Sequence, residues 1–426
     1  MKRFPDGFRW GVATSAFQIE GSPDADGRGP SIWDDFVGES GETAGEACDH
    51  YRRWRQDLDL IASLGVDAYR FSIAWPRIFH DGRTLERRGL DHYDRLLDGL
   101  LERGLEPLPT LYHWDLPAAL DWRDRDTTER FAEYAATCFD AYADRVPRWV
   151  TINEPWIIGL LGYQLGIHAP GIRDLRTSVE VMHHVLLAHG RAVRALDGRG
   201  GAGVAFSLFP HYPEAPGDAE AARLSDGYVN RWFLDPVLRG SYPEDMRAVY
   251  EERIGPLDFV LDGDLETIAS GSDFIGVNYY TRRVIRAAPG REPLPWKVVT
   301  LGDRPMTGGD WEIVPEAFTD LLLRLRDDYG DVPILITENG GIFPEPLHDE
   351  GRIEYLHGHI AAMQAALEQG ANVQGYYHWS LLDNFEWALG YEPRFGLVHV
   401  DYATQARTVK DSGRWYEQLA RTGTLG

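Results

Sequence analysis

Short apolar runs rich in β-branched and aromatic residues recur along the chain. They alternate with longer stretches whose apolar positions fall three and four residues apart. The short runs, read as strands, cover residues 8–13, 68–73, 106–112, 149–153, 204–208, 274–279, 333–337 and 373–379. Helical periodicity fills 49–64, 90–103, 127–142, 178–196, 315–329 and 353–369, and several of these stretches stop at a glycine, as at Gly65, Gly104, Gly330 and Gly370. Strand–helix alternation builds parallel sheets, and eight repeats predict an α/β chain closed into a single (β/α)₈ barrel over residues 1–426. An open doubly wound sheet is the rival. It is disfavoured because Gly27-Arg28-Gly29-Pro30 has neither the spacing nor the helix-opening residue of a dinucleotide-binding turn. Two irregular segments, 21–45 and 282–310, follow the first and sixth strands, where barrel enzymes place their sites.

Composition narrows the partners. The 67 acidic residues outnumber the 43 basic ones, leaving a formal charge of −24, which repels nucleic acid and anionic membranes. Cys48 and Cys138 lie far apart without metal-ligand spacing, so free thiols and a cytoplasmic setting are expected. The first residues lack the apolar core of a secretion signal, and no apolar run reaches the length of a membrane span.

The chemistry is carried by polar residues at strand ends. Strand four ends in Asn153-Glu154-Pro155 and strand seven in Glu338-Asn339-Gly340. A carboxylate where an apolar strand emerges is costly to desolvate unless it is paired or used. Two of them on nearly opposite strands suit glycosidic cleavage, which needs one protonated and one ionised carboxyl. Other strand ends supply Gln18, Glu20, Arg70, His113, Asn278, Tyr280 and His378. The stretch 379–387 adds Trp379, Asp383, Glu386 and Trp387. Amides, imidazoles and carboxylates partner sugar hydroxyls, and indoles offer a flat apolar face. Arg70 and Tyr280 suit the task of holding Glu338 ionised.

In its motifs the chain resembles the family 1 glycoside hydrolases, the β-glucosidase family, nearly end to end. The likeness rests on Phe8-Arg9-Trp10-Gly11-Val12-Ala13-Thr14-Ser15-Ala16-Phe17-Gln18-Ile19-Glu20-Gly21, Tyr69-Arg70-Phe71-Ser72-Ile73-Ala74-Trp75-Pro76-Arg77 and Leu111-Tyr112-His113-Trp114-Asp115-Leu116-Pro117. Thr151-Ile152-Asn153-Glu154-Pro155, Ile336-Thr337-Glu338-Asn339-Gly340 and Trp379-Ser380-Leu381-Leu382-Asp383-Asn384-Phe385-Glu386-Trp387 complete it. The resemblance implies a retaining β-glycosidase acting on small-molecule β-glycosides, most readily β-glucosides and also galactosides and fucosides, with no metal or organic cofactor. It implies Glu154 as general acid/base and Glu338 as nucleophile. Gln18, His113, Asn153, Tyr280, Glu386 and Trp387 would bind the sugar, with Trp379 as its platform. Arg70 and Tyr280 would support the nucleophile, and Trp156, Trp311 and Phe395 would line the aglycone side.

Relatives specific for 6-phosphorylated sugars carry Ser at the position of Glu386 and a Lys near Glu392 and Pro393. Thioglucosidase relatives replace the acid/base Glu with Gln. This chain has Glu386, no such Lys, and Glu154. It departs from the family in Ala118-Ala119-Leu120-Asp121-Trp122, which is short and lacks the usual glycines, and in Asp310 before Trp311. Segments after Trp33 and Gly340 also read as trimmed. All these departures fall on entrance loops. Three rivals remain. A sugar-binding barrel without catalysis is opposed by the presence of both glutamates. An aldolase would need a rim lysine or metal ligands, and Lys occurs only at Lys2, Lys297 and Lys410. A transglycosylase differs only in whether an alcohol outcompetes water, and sequence does not separate it from a hydrolase.

Overall fold

The computed structural model describes residues 3–425. Eight parallel strands close on themselves: β1 (Arg9–Ala13), β2 (Ala68–Ser72), β3 (Glu106–Tyr112), β4 (Arg148–Asn153), β5 (Gly201–Ser207), β6 (Phe274–Tyr279), β7 (Ile334–Asn339) and β8 (Val373–Trp379). Strand β1 closes the ring, with Gly11 opposite Ala68 on one side and Tyr377 on the other. Helices of 12 to 22 residues cover the outside, among them His50–Ser63, Leu175–Leu196 and Asp411–Thr422. Among the described residues, no helix is long and apolar enough to cross a membrane.

Each strand gives one residue to an interior apolar layer: Ala13, Ala68, Leu108, Val150, Ala205, Phe274, Leu335 and Tyr377. Three alanines face the bulky Phe274 and Tyr377, so the lumen fills with side chains and is a packed floor, not a pore. Trp379, Phe395, Tyr280 and Trp311 pack directly on this layer. The site therefore stands on a solid base.

Two strand boundaries differ from the sequence expectation by more than one residue, and both for physical reasons. β5 begins at Gly201, three residues earlier than its apolar run, because Gly201-Ala202-Gly203 carries almost no side chain for a hydropathy pattern to register. A Cβ at Gly203 would lie 2.5 Å from the Phe274 carbonyl oxygen, so the small residue permits the close β5–β6 approach. β7 extends past Thr337 to Asn339, which brings Glu338 inside the ladder opposite Asn278. The register slips between Ile336 and Glu338 in this pairing, and between Val150 and Asn153 in the β4–β5 pairing. Such bulges re-aim side chains next to sites. Here they fall at the two glutamates. The segment 282–310 contains an antiparallel pair, Arg283–Ala287 with Trp296–Val299, that the sequence pattern did not reveal.

Candidate active site

A cavity of about 210 Å³ opens at the carboxyl ends of the strands. Its walls include His113, Asn153, Glu154, Tyr280, Trp311, Glu338, Trp379, Glu386, Trp387 and Phe395, ten of the side chains singled out from sequence.

Glu154 follows β4 in a left-handed conformation, φ 53° and ψ 67°. A non-glycine residue held there carries strain of about 1–3 kcal/mol, which the surroundings must sustain. They do so through the Glu154 amide, which donates to the Ala205 carbonyl at 2.7 Å, and through Pro155, which opens the next helical turn. The strain turns the carboxyl into the cavity, where Asn278 Nδ2 donates to Oε1 at 2.8 Å and the Ser207 hydroxyl also bonds to it. Burial, then the charge of Glu338, push its pKa up to about 8, against the pull of Asn278, Arg70 and Ser207.

Glu338 has different surroundings. Arg70, fully buried in β2, donates from Nη1 to Oε1 at 2.6 Å, and the Tyr280 hydroxyl donates to Oε2 at 2.6 Å. Burial raises its pKa, while Arg70, Tyr280 and Asn278 act to lower it. Glu338 thus touches a guanidinium, whereas the direct partners of Glu154 are neutral. Arg70 Nη2 also donates to Asn153 Oδ1 at 2.7 Å, and Asn278 Nδ2 reaches the same oxygen at 3.0 Å. Thr337 Oγ1 donates to Asn278 Oδ1 at 2.6 Å and so fixes the amide's orientation. Asn278 thus ties Glu154 to Asn153, and through Asn153 to the Arg70 that holds Glu338.

The remaining walls form a sugar-sized slot. His113 lies nearly parallel to Trp379, 5.6 Å between ring centres at 17°, and to Trp387, 6.0 Å at 9°. Its Nε2 meets Asn153 Nδ2 at 3.1 Å, and burial holds its pKa well below the usual imidazole range, so the ring is neutral. Glu386 is pushed up to about 8 by burial and by Glu338, with Gln18 Nε2 opposing at 3.4 Å. Gly340 makes the slot possible: a Cβ there would sit 1.9 Å from the Trp379 carbonyl oxygen.

Three expected site residues stand off the cavity wall. Arg70 lies beneath Glu338. Gln18 is fully buried behind Glu386, bonded also to Asn384 Oδ1 at 3.0 Å and to the Phe385 carbonyl at 2.9 Å. Trp156 was expected on the aglycone side, but its ring packs edge-on to Phe209, 5.8 Å away, with the Arg283 guanidinium 4.6 Å from its centre. Phe209 screens it, and its neighbour Ile157 lines the cavity instead. Glu20 turns outward into a buried ion pair with Arg77 at 2.6 Å. Sequence reasoning missed Ile157, Leu161, His168, Ser207, Phe209 and Leu389 as wall residues. Ile157, Leu161 and Leu389 lie in short helical turns beyond the strands, His168 and Phe209 on loops and Ser207 at a strand end, outside the patterned stretches that mark the main elements. Among the described residues, no group of three or more His, Cys, Asp or Glu side chains is placed to hold a metal ion.

The chain is similar, over its whole length, to proteins of known kind. Beta-glucosidase A of Acetivibrio thermocellus is 45% identical, covering 98% of this chain and 98% of that protein. A bifunctional beta-D-glucosidase/beta-D-fucosidase of Bifidobacterium breve is 41% identical, again covering 98% of each. The solved structure of the family 1 β-glucosidase from Thermotoga maritima superposes with a TM-score of 0.95 at 42% identity, covering 100% of this chain and 99% of that one. The profile of glycosyl hydrolase family 1 matches residues 1–424, so likeness in sequence and in fold converge on one conclusion: the chain is a glycoside hydrolase and belongs to glycosyl hydrolase family 1.

Proposed function

We propose that the protein is a retaining β-glucosidase, releasing terminal non-reducing β-D-glucosyl residues by double displacement. The carrying observation is the pair of buried carboxyls with different settings in one cavity, Glu154 pushed up to about 8 beside neutral partners and Glu338 bonded to Arg70 and Tyr280, which act against the rise that burial causes. Both carboxyls line one cavity, and the double-displacement reading requires them roughly 5–5.5 Å apart, not the roughly 6.5–9.5 Å that leaves room for water in inverting enzymes. Beta-glucosidase names among the relatives support the glucoside preference, and the bifunctional relative supports β-fucosides as secondary substrates. β-Galactosides are proposed alongside them, since they differ from glucosides only at the 4-hydroxyl.

Glu338, ionised, attacks the anomeric carbon as Glu154 gives its proton to the departing oxygen. The bond to the leaving alcohol breaks and a glycosyl–Glu338 ester forms. Esterification removes the Glu338 charge that raised Glu154. Having given up its proton, Glu154 is now a carboxylate. Without the Glu338 charge its pKa falls, so it stays ionised and takes a proton from water as the water oxygen attacks the anomeric carbon, breaking the bond to Glu338 and releasing its carboxylate. Tyr280, kept protonated because burial and Glu338 raise its pKa well above the usual phenol range, donates to the nucleophile. His113, Asn153, Glu386 and Trp387 hold the sugar over Trp379, and Gln18 stations Glu386. Residues 1–426 act as one catalytic unit, supported by a core that runs from Phe4 to Leu419. A cytoplasmic location is supported by the two buried free thiols, Cys48 and Cys138.

The test is Glu338→Ala with azide. The variant loses turnover by at least about three orders of magnitude, in line with removal of a covalent nucleophile. Azide, small enough for the vacated space, restores cleavage of an activated β-glucoside and yields the α-glucosyl azide. A β-azide product would show that Glu338 is not the nucleophile.

A further inference from the structure

The cavity is lined by two kinds of side chain. His113, Asn153 and Glu386, with the two catalytic carboxyls, are each able to bond a hydroxyl. The rest of the wall is largely apolar, with Ile157, Leu161, Phe209, Trp311, Leu389 and Phe395. The polar side chains left on that wall are few. Ser207 is already bonded to Glu154, and Trp311 offers one indole N–H. His168 packs its ring against Trp33 at 5.1 Å and Trp114 at 5.6 Å, and burial pushes its pKa down to about 3, so it carries no charge. Neither an amide, a carboxylate nor a cation faces a leaving group there.

The apolar surface continues outward. Leu389 is 45% exposed, and Leu165 and Ile167 on the loop after β4 are 43% and 49% exposed. Val37, on the loop after β1, is 56% exposed. The loops touch: the Ser40 amide donates to the Ala388 carbonyl, beside Leu389, and Phe36 lies against Gly171. An apolar strip at a mouth marks a recognition surface.

We infer that the leaving-group side of this site selects apolar alcohols, alkyl or aryl, over a second sugar. The inference rests on the β-glucosidase reading above and names its substrate class. A glucosyl leaving group would bring several hydroxyls against walls that return almost no hydrogen bonds, and each unpaired buried hydroxyl counts against binding. An alkyl chain exchanges water for Leu161, Phe209 and Leu389 and continues along the strip.

The experiment compares kcat/KM for hexyl β-D-glucoside and for cellobiose. Intrinsic reactivity opposes the expected order, because a sugar hydroxyl is the more acidic alcohol and the better leaving group. The structure nonetheless requires hexyl glucoside to be favoured by roughly tenfold or more, the scale on which pocket contacts discriminate. Leu161→Asn and Leu389→Asn shift the ratio towards cellobiose several-fold, and a ratio is unaffected by the fraction of folded enzyme. Equal or faster cleavage of cellobiose by the unaltered enzyme, or a ratio unmoved by both substitutions, overturns the inference and leaves the β-glucosidase reading intact. Failure to cleave hexyl glucoside, cellobiose and p-nitrophenyl β-glucoside alike overturns both.

Discussion

Glu154 and Glu386 are both pushed up to about 8, and both partly by the charge on Glu338. Only one of them has to give away a proton. Activity requires Glu154 protonated and Glu338 ionised, so on the alkaline side kcat/KM falls as pH rises through about 8, the pKa of Glu154. Because Glu154 and Glu386 both couple to Glu338, the alkaline limb by itself belongs to the cluster and not to one residue. Substitution separates them. Glu154→Gln removes the limb when the substrate is 2,4-dinitrophenyl β-glucoside, whose leaving group needs no proton, whereas Glu386→Gln weakens sugar binding and keeps the limb. Profiles of kcat/KM between pH 5 and 10 decide it, and a limb that survives Glu154→Gln would assign the ionisation elsewhere. Most of these residues were legible in the sequence because a carboxylate, an amide or an imidazole at the end of an apolar strand demands an explanation. Asn278 was seen only as one strand-end amide. Its place between the two glutamates depends on register slips in β4 and β7 that no residue pattern announces. Trp156 was placed by its position next to Glu154, yet its ring packs against Phe209, which lines the cavity.

At the scale of elements, the loop after β8 carries Glu386 and Trp387 and is tied down through one residue. Asp383, fully buried, accepts from Lys410 Nζ at 2.8 Å, from Arg394 Nη1 at 3.0 Å and from the Gly396 amide at 3.0 Å. Three chain segments thus meet on one carboxylate. Lys410 is itself fully buried, and burial lowers its pKa to about 8 even with Asp383 opposing. Asp383→Ala leaves that ammonium without its partner, at a cost of about 3–5 kcal/mol. The urea midpoint falls accordingly, and KM for glucosides rises because Glu386 and Trp387 lose their anchor. Asp383→Asn, which keeps the hydrogen-bond shape, recovers part of both. A midpoint unchanged by the alanine would mean that the loop is held by its apolar contacts alone. The strands of this architecture were legible wherever β-branched residues ran together, and strand β5 was clipped where glycine replaced them. The hairpin over 283–299 escaped notice because its strands are short, half exposed and interrupted by a Pro-rich turn. Lys410 gave no signal at all, since a lone lysine ordinarily means solvent.

For the whole molecule, the alternation of eight strands with helices made closure readable, and the charge of −24 made the surface readable. That charge has a consequence the fold alone does not suggest. A chain of 426 residues folds to a radius of gyration of about 22 Å. At about 0.01 M salt the screening length is roughly 30 Å, so every excess carboxylate acts on every other, while at about 0.15 M it is roughly 8 Å and only neighbours interact. Opposing this are surface ion pairs such as Arg145 with Asp94 and Asp98, each at 2.7 Å, which salt weakens. Exposed pairs contribute only about 0–1 kcal/mol each, and at roughly 8 Å screening contacts this short lose little. Long-range repulsion loses far more, so raising NaCl from about 0.01 to 0.2 M should increase Tm by several degrees. The substrate proposed for the site is neutral, so no field steers it, and kcat/KM for a β-glucoside should stay within about twofold over the same range. Calorimetry and initial rates on the same samples separate the two effects. A Tm that falls with salt would mean the paired charges outweigh the excess, and a kcat/KM that falls steeply would mean that the ionic balance around Arg70 and Glu338 is felt from bulk solvent, contrary to their burial.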